Sequence, residues 1–305
     1  MSSQKKNEFH DAVGVDGRLF LVDKPAGVSS FGALGPLKRE LGIRKVGHTG
    51  TLDPFATGLL VVLSGWATRL APDFSNLDKR YVAIIRFGES TETLDSEGTI
   101  CKSGRVPTKA EISDALLEFH GEITQRPPAF SAIKIGGIRA YRLARTGSPV
   151  EPEPRVVTIS ELKFRRWSAP EAEIEVACSK GTYIRSLARD IAVRLGTVAH
   201  VRQLIRSEVG PFALSEIPRS SSWYALNPVD AIRRIGALEI ISPSRSVLGR
   251  ISHGQPLSAT DLRVDPMRAC QYTVVDPAGA LCAVVGVSGG TVSYRFVVNR
   301  GSDDD

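Results

Sequence analysis

The most constraining feature of the chain is the stretch from Gly47 to Leu60, which reads Gly-His-Thr-Gly-Thr-Leu-Asp-Pro-Phe-Ala-Thr-Gly-Leu-Leu. It sets one carboxylate, Asp53, among glycines, threonines, a proline and apolar residues, with His48 five residues earlier. Because glycine permits positive φ and proline fixes φ, this composition requires a specific loop. An aspartate before a proline is also a common turn residue. A loop built so tightly around one acid nevertheless favours a functional role for that acid.

Composition describes an ordinary globular protein. The chain has 305 residues, of which 42% are hydrophobic and 24% charged, enough for one large core or two unequal ones. No apolar run approaches the length of a membrane span, and Leu59 to Leu63 is among the longest. The first ten residues are polar and contain no apolar signal core, so we expect a cytoplasmic protein without contact to a membrane.

The cysteines and the net charge limit the possible ligands. The four cysteines are scattered and include no Cys-x-x-Cys pair, which argues against a zinc site and a disulfide framework and fits a reducing compartment. The net charge of +6 and the pI of about 9.2 are compatible with a polyanionic partner but do not establish one.

Local patterns predict the main elements of secondary structure. Alternating apolar residues predict strands, and apolar residues at helical spacing between capping and stop signals predict helices. The predicted strands are Arg18–Asp23, Arg80–Phe87 and Glu173–Cys178. The predicted helices end at Leu41 (with a kink or a late start at Pro36), follow the capping box Thr108–Glu111 until Gly121, span Thr182–Leu195, and begin near Ala199.

Two other regions differ in texture. The segment 125–154 is basic and rich in proline and glycine, with Phe130 and Tyr141 interleaved, and we predict an extended, mobile excursion from the main fold. After Ile241, short apolar strands alternate with turn residues, which predicts a small β domain with a boundary near residue 240. Residues 1–17 are expected to be a flexible tail.

The Asp53 stretch resembles the catalytic signature of the TruB family of tRNA pseudouridine synthases, Gly-His-x-Gly-x-Leu-Asp-Pro, in which the aspartate is essential. The resemblance implies an α/β (α+β) pseudouridine synthase fold, with a mixed, largely antiparallel sheet flanked by helices. Residues 249–256 are similar, more weakly, to part of a PUA-like RNA-binding domain, which would be the small C-terminal β domain. The implied activity is isomerisation of the T-loop uridine of tRNA, nucleotide 55.

The resemblance also implies a catalytic set of Asp53, Tyr81 and Arg185. Arg185 ends the segment Cys-Ser-Lys-Gly-Thr-Tyr-Ile-Arg, which is similar to the family motif whose arginine pairs with the aspartate. Physically, a guanidinium there would hold Asp53 ionised, whereas spacing alone would leave Arg185 a solvated helix residue. Tyr81 would stack on the uracil and take part in proton transfer, although its spacing alone favours core packing.

The resemblance implies a wider set of substrate-binding residues. His48 would fill the space near the displaced base, Leu204 would form a pocket wall, and the segment beginning at Lys24 would support the site. A basic thumb within 125–154 would grip RNA by phosphate neutralisation and by stacking on unpaired bases. The full set is His48, Leu204, Tyr183, Lys24, Lys134 and Phe130. Two positions depart from the family pattern: Phe130 stands where tyrosine is frequent, and Pro36 lies in a helix that usually lacks it.

The number of acids bears on the reaction. A hydrolytic glycosidase normally uses two carboxylates, whereas the motif offers only Asp53, which favours isomerisation over hydrolysis. A second acid from a distant part of the fold stays possible. The sequence also leaves open whether Asp53 attacks C1′ of the ribose or assists removal of a sugar proton.

Two other functions compete with the stand-alone enzyme. One is a non-catalytic tRNA-binding or folding chaperone, and the other is the catalytic subunit of a guide-RNA pseudouridylation complex. The intact Asp53, Tyr81 and Arg185 set argues against the first. The short C-terminal domain and the self-sufficient thumb at 125–154 argue against the second. We therefore expect a monomer that binds the T-arm of tRNA and needs no obligate protein partner, no metal and no other cofactor.

Overall fold

The computed structural model describes residues 17–131, 133–135, 137–140, 150 and 152–298. Its strands are β1 Leu19–Lys24, β2 Val46–His48, β3 Thr57–Ser64, β4 Lys79–Phe87, β5 Glu89–Thr91, β6 Ile100–Ser103, β7 Gly121–Gln125, β8 Lys134–Ile135, β9 Ile138–Arg139, β10 Arg155–Ser168, β11 Glu171–Cys178, β12 Ala199–Val209, β13 Phe212–Ala213, β14 Trp223–Leu226, β15 Glu239–Ile241, β16 Cys270–Val275, β17 Leu281–Ser288 and β18 Thr291–Val297. Its helices are α1 Gly35–Leu41, α2 Ala71–Ser75, α3 Lys109–Leu116, α4 Ile184–Arg194, α5 Pro228–Ile235, α6 Arg245–Ser252 and α7 Ala259–Leu262.

One large mixed sheet organises the fold. Its strand order is β14-β1-β3-β12-β4-β11-β10-β7, with β2 paired to β3 and β13 paired to β12. Within the described ranges, β3 and β12 are its parallel pair and its other pairs are antiparallel. The predicted mixed, largely antiparallel sheet flanked by helices is therefore confirmed, and it brings β3, β4 and β12 side by side at its centre.

Strand β4 shows how the sequence pattern positions a side chain. Tyr81, Ala83, Ile85 and Phe87 are buried on one face, whereas Arg80, Val82, Ile84 and Arg86 are only partly buried on the other. The predicted alternation is confirmed, and the strand begins one residue earlier than predicted. Because β4 lies between β11 and β12, Tyr81 projects from the middle of the sheet.

The helix boundaries follow the capping residues. A 3₁₀ turn at Gly32–Leu34 precedes α1, Pro36 lies in the first turn of α1, and Gly42 ends it with φ of 65°, so the predicted late start is confirmed. The Thr108–Glu111 capping box is present at the start of α3. Gly121 does not end that helix, because α3 and the 3₁₀ turn after it are complete by Phe119 and Gly121 begins β7.

The helix predicted from Ala199 is wrong, because this segment is strand β12. A β-bulge between Val201 and Gln203 shifts the register against β4 and leaves Arg202 and Gln203 both exposed. Val201 and Leu204 consequently face the core although they are three residues apart. That spacing imitates the period of a helix, so the sequence pattern alone favoured the wrong element.

The C-terminal region forms a four-stranded sheet, β15-β16-β17-β18, as the sequence predicted. It has a hydrophobic cluster of its own around Tyr272 and Val285. Other apolar side chains of these strands, such as Val284 and Phe296, pack in one cluster with Leu19 of β1. The C-terminal sheet thus packs against the face of the large sheet that carries Leu19.

No helix within the described residues is long and apolar enough to cross a membrane.

Gly58 ties the start of β3 to β12, since its backbone has φ of 101° and a Cβ there would lie 2.4 Å from the carbonyl oxygen of Arg206. We expect Gly58→Ala to lower the free energy of unfolding by about 1–3 kcal/mol, because the positive φ and the close backbone both disfavour a side chain. Urea unfolding monitored by circular dichroism measures the change.

Gly47→Ala is the matched control, because a Cβ at Gly47 meets nothing within 4 Å. Equal loss in the two variants would contradict the argument.

Candidate active site

The loop that carries Asp53 is fastened at several points. It connects β2 to β3, and the amide of Thr49 donates to the carbonyl of Val61 at 3.0 Å. The hydroxyl of Ser30 both donates to the carbonyl of Leu52 at 2.9 Å and accepts from its amide at 2.8 Å. These bonds fix the residue immediately before Asp53, so the rigid loop predicted from the sequence has a physical basis.

Lys24 supports this loop through hydrogen bonds to backbone carbonyls. Its side chain is fully buried, and its ammonium donates to the carbonyls of Pro25 at 2.9 Å, Pro54 at 3.0 Å and Ala56 at 2.6 Å. The three protons of the ammonium are used by these bonds. Lys24, which we grouped with the substrate-binding residues, is therefore placed to support the Asp53 loop, as expected for the segment that it begins.

Arg206 holds the same loop from the side of the sheet. It lies on β12 with 2% exposure, and its guanidinium donates to the carbonyls of Leu59 at 2.7 Å, Thr51 at 3.4 Å and Gly50 at 3.1 Å. A planar fork of N–H groups suits such a task because it reaches several acceptors at once. Arg206 thus connects β12 to the start of the loop and to strand β3 that follows it.

Arg185 forms an ion pair with Asp53, with 2.8 Å between Nε and Oδ2. The arginine side chain is 3% exposed, while that of Asp53 is 29% exposed, so the carboxylate opens to the exterior and the guanidinium does not. Arg185 also donates to the carbonyl of Thr93 at 2.7 Å and to that of Phe130 at 2.9 Å. The Asp53 stretch and the segment that ends at Arg185 are far apart in the sequence and therefore meet in space.

Asp95 is a second carboxylate on the same guanidinium, at 3.2 Å between Arg185 Nη1 and Asp95 Oδ2. Its side chain is 5% exposed, and its Oδ1 accepts from the hydroxyl of Thr93 at 2.5 Å and from the amide of Glu97 at 3.0 Å. The preceding residue, Leu94, has φ of 61°, an uncommon conformation for a leucine. Arg185 is thus held between two carboxylates, one facing outward and one buried.

The protonation of Asp53 reflects opposing influences. Burial raises the pKa of its carboxyl above the usual value, the charge and hydrogen bond of Arg185 oppose that rise, and the charge of Asp95 adds to it. The ion pair with Arg185 is what favours the ionised form in this setting.

A cleft of about 360 Å³ opens beside Asp53. Tyr81, Tyr183 and Leu204 line it together with Asp53, so four of the nine side chains assigned to a site from the sequence meet there. Burial raises the pKa of Tyr81 above its usual value, so its hydroxyl is protonated at neutral pH. Tyr183 lies under the guanidinium of Arg155, 5.0 Å from the ring centre.

The other assigned residues lie around the cleft. His48 ends β2 and is partly buried, burial lowers the pKa of its imidazole, and its Nδ1 has no hydrogen-bond partner among the described residues. Phe130 contributes its backbone carbonyl to Arg185. The backbone of Lys134 lies in the β8–β9 hairpin, but its side chain is outside what the structure describes, as is Tyr141. The thumb residues 141–149 are likewise outside the described ranges.

Cations surround the cleft. Lys79, Arg155, Lys180 and Arg206 all line it, whereas among the described lining residues Asp53 is the one carboxylate. Lys79 is largely buried, and burial lowers its pKa to about 8. The cleft therefore combines one acid, a hydrophobic wall and a positive rim, which suits an anionic ligand with a planar group.

Sequence reasoning missed Asp95 and Arg206. Asp95 lies in the polar segment Thr-Glu-Thr-Leu-Asp-Ser-Glu-Gly at 91–98, which reads as an ordinary turn, and no spacing connects it to Asp53. Arg206 is two residues after Leu204, and in the strand that β12 forms, alternation places both on the same face. Because this segment was predicted to be a helix, the alternation of a strand was not used to place Arg206 beside Leu204.

Replacing Arg206 tests its support of the loop. We expect Arg206→Lys to lower the free energy of unfolding by about 1–3 kcal/mol, because a single ammonium cannot reach the same carbonyls as the fork and leaves buried acceptors unsatisfied. Chemical denaturation measures it, and limited proteolysis at the 49–56 loop reports the local effect.

Arg202→Lys is the control from the same strand, since Arg202 is 51% exposed and pairs with Glu171 at the surface. A loss at Arg206 no larger than at Arg202 would show that the buried guanidinium is not a support.

Comparison with known proteins shows the family of this chain. The family model described as TruB family pseudouridylate synthase (N terminal domain) matches residues 38–184, which include Asp53, Tyr81 and Tyr183. The tRNA pseudouridine synthase B of Burkholderia pseudomallei (strain 668) is 38% identical over 300 residues, covering 94% of this chain and 98% of the relative. That of Burkholderia lata is 40% identical over 296 residues, covering 93% and 91%.

Other similarities are shorter or more distant. The tRNA pseudouridine synthase B of Saccharophagus degradans is 46% identical over 203 residues, 65% of either chain. A chain in the crystal structure of a Cbf5-Nop10-Gar1 complex superposes with a TM-score of 0.66 at 23% identity, covering 92% of this chain and 84% of that one. The structural likeness shows the fold, and the identity to relatives covered almost whole shows the family. This chain belongs to the TruB family of pseudouridine synthases, which are isomerases.

Proposed function

We propose that this protein is a tRNA pseudouridine synthase that isomerises the T-loop uridine, nucleotide 55. The observation that carries the proposal is the ion pair between Asp53 and Arg185 at the wall of a cleft whose other charged lining residues are cations. The relatives named tRNA pseudouridine synthase B supply the RNA class.

The single outward-facing acid favours isomerisation over hydrolysis. A hydrolase needs a second carboxylate that can reach water or the leaving group. Two further acids lie near this site: Asp95 is buried and bound to Arg185 and Thr93, and Glu97 interacts electrostatically with Asp53. Neither is among the described residues that line the cleft, so that lining offers one carboxylate to a ribose and no second one to activate water.

In the proposed reaction the uridine leaves its stack and enters the cleft, because C1′ is not accessible within a folded loop. The N1–C1′ bond breaks, the base turns, C5 joins C1′, and the proton from C5 is released as N1 gains one. Ionised Asp53 acts at the ribose, either as nucleophile at C1′ or in removal of a sugar proton. Arg185 holds Asp53 ionised in both cases.

The remaining cleft residues bind and orient the base. The neutral Tyr81 offers a ring for stacking and a hydroxyl for proton transfer at C5 or the sugar. Leu204 forms an apolar wall, and His48, Tyr183 and Phe130 are proposed to contact the RNA. We further propose that the enzyme acts in the cytoplasm as a monomer, without a protein partner or a cofactor.

The first experiment uses purified protein and an unmodified tRNA transcript. We expect the wild type to produce pseudouridine at nucleotide 55 and Asp53→Asn to bind the same transcript without producing it, since binding depends on the cations and chemistry on the carboxylate. Chemical labelling followed by primer extension locates the product, and filter binding measures the affinity.

Binding without product from the wild type would favour a chaperone or a guide-dependent subunit. Product that requires an added guide RNA would identify the latter.

A second experiment replaces the buried acid by Asp95→Asn. Because the charge of Asp95 raises the pKa of Asp53, its removal should lower that pKa, and the acid limb of the rate–pH profile should move to lower pH. The maximal rate should fall about 100-fold, since Arg185 loses the partner that fixes it and a small misplacement has a large effect on rate. Single-turnover rates from pH 4.5 to pH 8 at saturating tRNA provide both quantities.

An acid limb that moves upward, or a full rate, would contradict the two-carboxylate arrangement. Asp230→Asn is the control, because Asp230 forms a surface pair with Arg233 at the start of α5.

A further inference from the structure

An exposed apolar loop lies directly beside the Asp53 loop. It includes Phe31, which is 64% exposed, and Val28, which is 36% exposed. A single exposed hydrophobic residue is ordinary. Pro25 and Ala26 of the same loop are exposed as well, so the loop presents several apolar residues to the exterior.

The loop is rigid and its position relative to Asp53 is fixed. The amide of Gly27 donates to the carbonyl of Pro54 at 2.9 Å, and Ser30 is hydrogen-bonded twice to Leu52. Phe31 is the residue after Ser30, and Asp53 is the residue after Leu52. Phe31 therefore stands on a backbone segment that is hydrogen-bonded to the Asp53 loop.

Cations stand next to this ring. The ammonium of Lys38 lies 5.7 Å from the centre of the Phe31 ring, and Arg39 folds back towards Gly35. Between residues 38 and 45 there are four cations, Lys38, Arg39, Arg44 and Lys45, and one carboxylate, Glu40. Glu40 accepts a hydrogen bond from Trp223 Nε1 at 3.1 Å, and the described part of the chain records no ion pair for Lys38 or Arg39.

The dipole of helix α1 explains part of this arrangement. Lys38 and Arg39 lie in the last turn of α1, where the helix dipole favours cations. The dipole does not explain why an aromatic ring stands exposed beside them. An aromatic face with adjacent unpaired cations is the combination that binds single-stranded nucleic acid, by stacking on a base and by contact with phosphates.

We propose that Val28, Phe31, Lys38 and Arg39, here named the Phe31 surface, bind an unpaired nucleobase of the RNA substrate and the phosphates beside it, outside the cleft that takes the isomerised uridine. This inference rests on the proposed function for the identity of the RNA. The excess of cations over carboxylates commits the surface to a polyanion rather than to a second copy of this chain.

Binding of an unmodified tRNA transcript tests the surface separately from catalysis. We expect Phe31→Ala to raise the Kd about tenfold or more, because stacking on an aromatic ring contributes substantially for each base. The same loss should appear in KM for pseudouridine formation. We expect Lys38→Gln to weaken binding and to reduce the slope of log Kd against log salt by about one, whereas Phe31→Ala should leave that slope unchanged.

Leu117→Ala is the matched control, since Leu117 is 78% exposed on the 3₁₀ turn after α3 and has no part in the surface. Thermal unfolding of all variants checks that the folds are equally stable. The control should bind tRNA as the wild type does.

The outcomes separate this proposal from the proposed function. Equal tRNA affinity of Phe31→Ala and Leu117→Ala would overturn the Phe31 surface even if the wild type makes pseudouridine. A wild type that makes no pseudouridine but loses tRNA affinity on Phe31→Ala would overturn the enzyme proposal alone. If Phe31→Ala instead changed the oligomeric state in size-exclusion chromatography and left RNA affinity intact, the surface would be an interface between copies.

Discussion

The arrangement of the site depends on one buried guanidinium. Arg185 is 3% exposed, and an arginine without carboxylate partners at such a position would be strongly destabilising. Its partners are Asp53 and Asp95, which approach it from different segments of the chain. Asp95 and the carbonyls of Thr93 and Phe130 fix the guanidinium, so the ion pair can orient Asp53 towards the cleft. The two carboxylates thus have different tasks because only one of them faces the exterior.

Two buried cations stabilise the loop around Asp53 through hydrogen bonds to backbone carbonyls, and not through ion pairs with a carboxylate of the loop. Lys24 and Arg206 are both buried and both donate to backbone carbonyls of the loop or its flanks. Burial raises the pKa of Asp53, and the charge of Lys24 opposes that rise and so favours the ionised form. A Cβ at Gly58 would lie 2.4 Å from the carbonyl oxygen of Arg206. Packing rather than chemistry therefore explains the glycine at this position.

Much of this could be predicted from the sequence. Regular alternation predicted β4 and the orientation of Tyr81, the Thr108 capping box predicted α3, and two motifs predicted that Asp53 and Arg185 meet. The prediction failed at Ala199, where a bulge in β12 gives a strand the apolar spacing of a helix. Asp95 could not be predicted, because its link to Arg185 is made by tertiary structure and its local sequence is that of a turn. The hydrogen bonds of the Lys24 ammonium to backbone carbonyls could not be predicted either, because a sequence does not reveal such tertiary contacts.

The distribution of charge in and around the cleft suits the proposed chemistry. In the cleft, the carboxylate of Asp53 is fixed against the guanidinium of Arg185, and the neighbouring Tyr81 is neutral. The other charged residues of the described lining are cations, of which Lys180 is exposed, and in the proposed reaction they and the Phe31 surface hold phosphates while the base turns. An enzyme that detaches a base and rejoins it must keep both fragments in place, and contacts on either side of the cleft serve this better than strong binding within it. A single acid beside several cations in the described lining of the cleft is the combination that the proposed isomerisation requires.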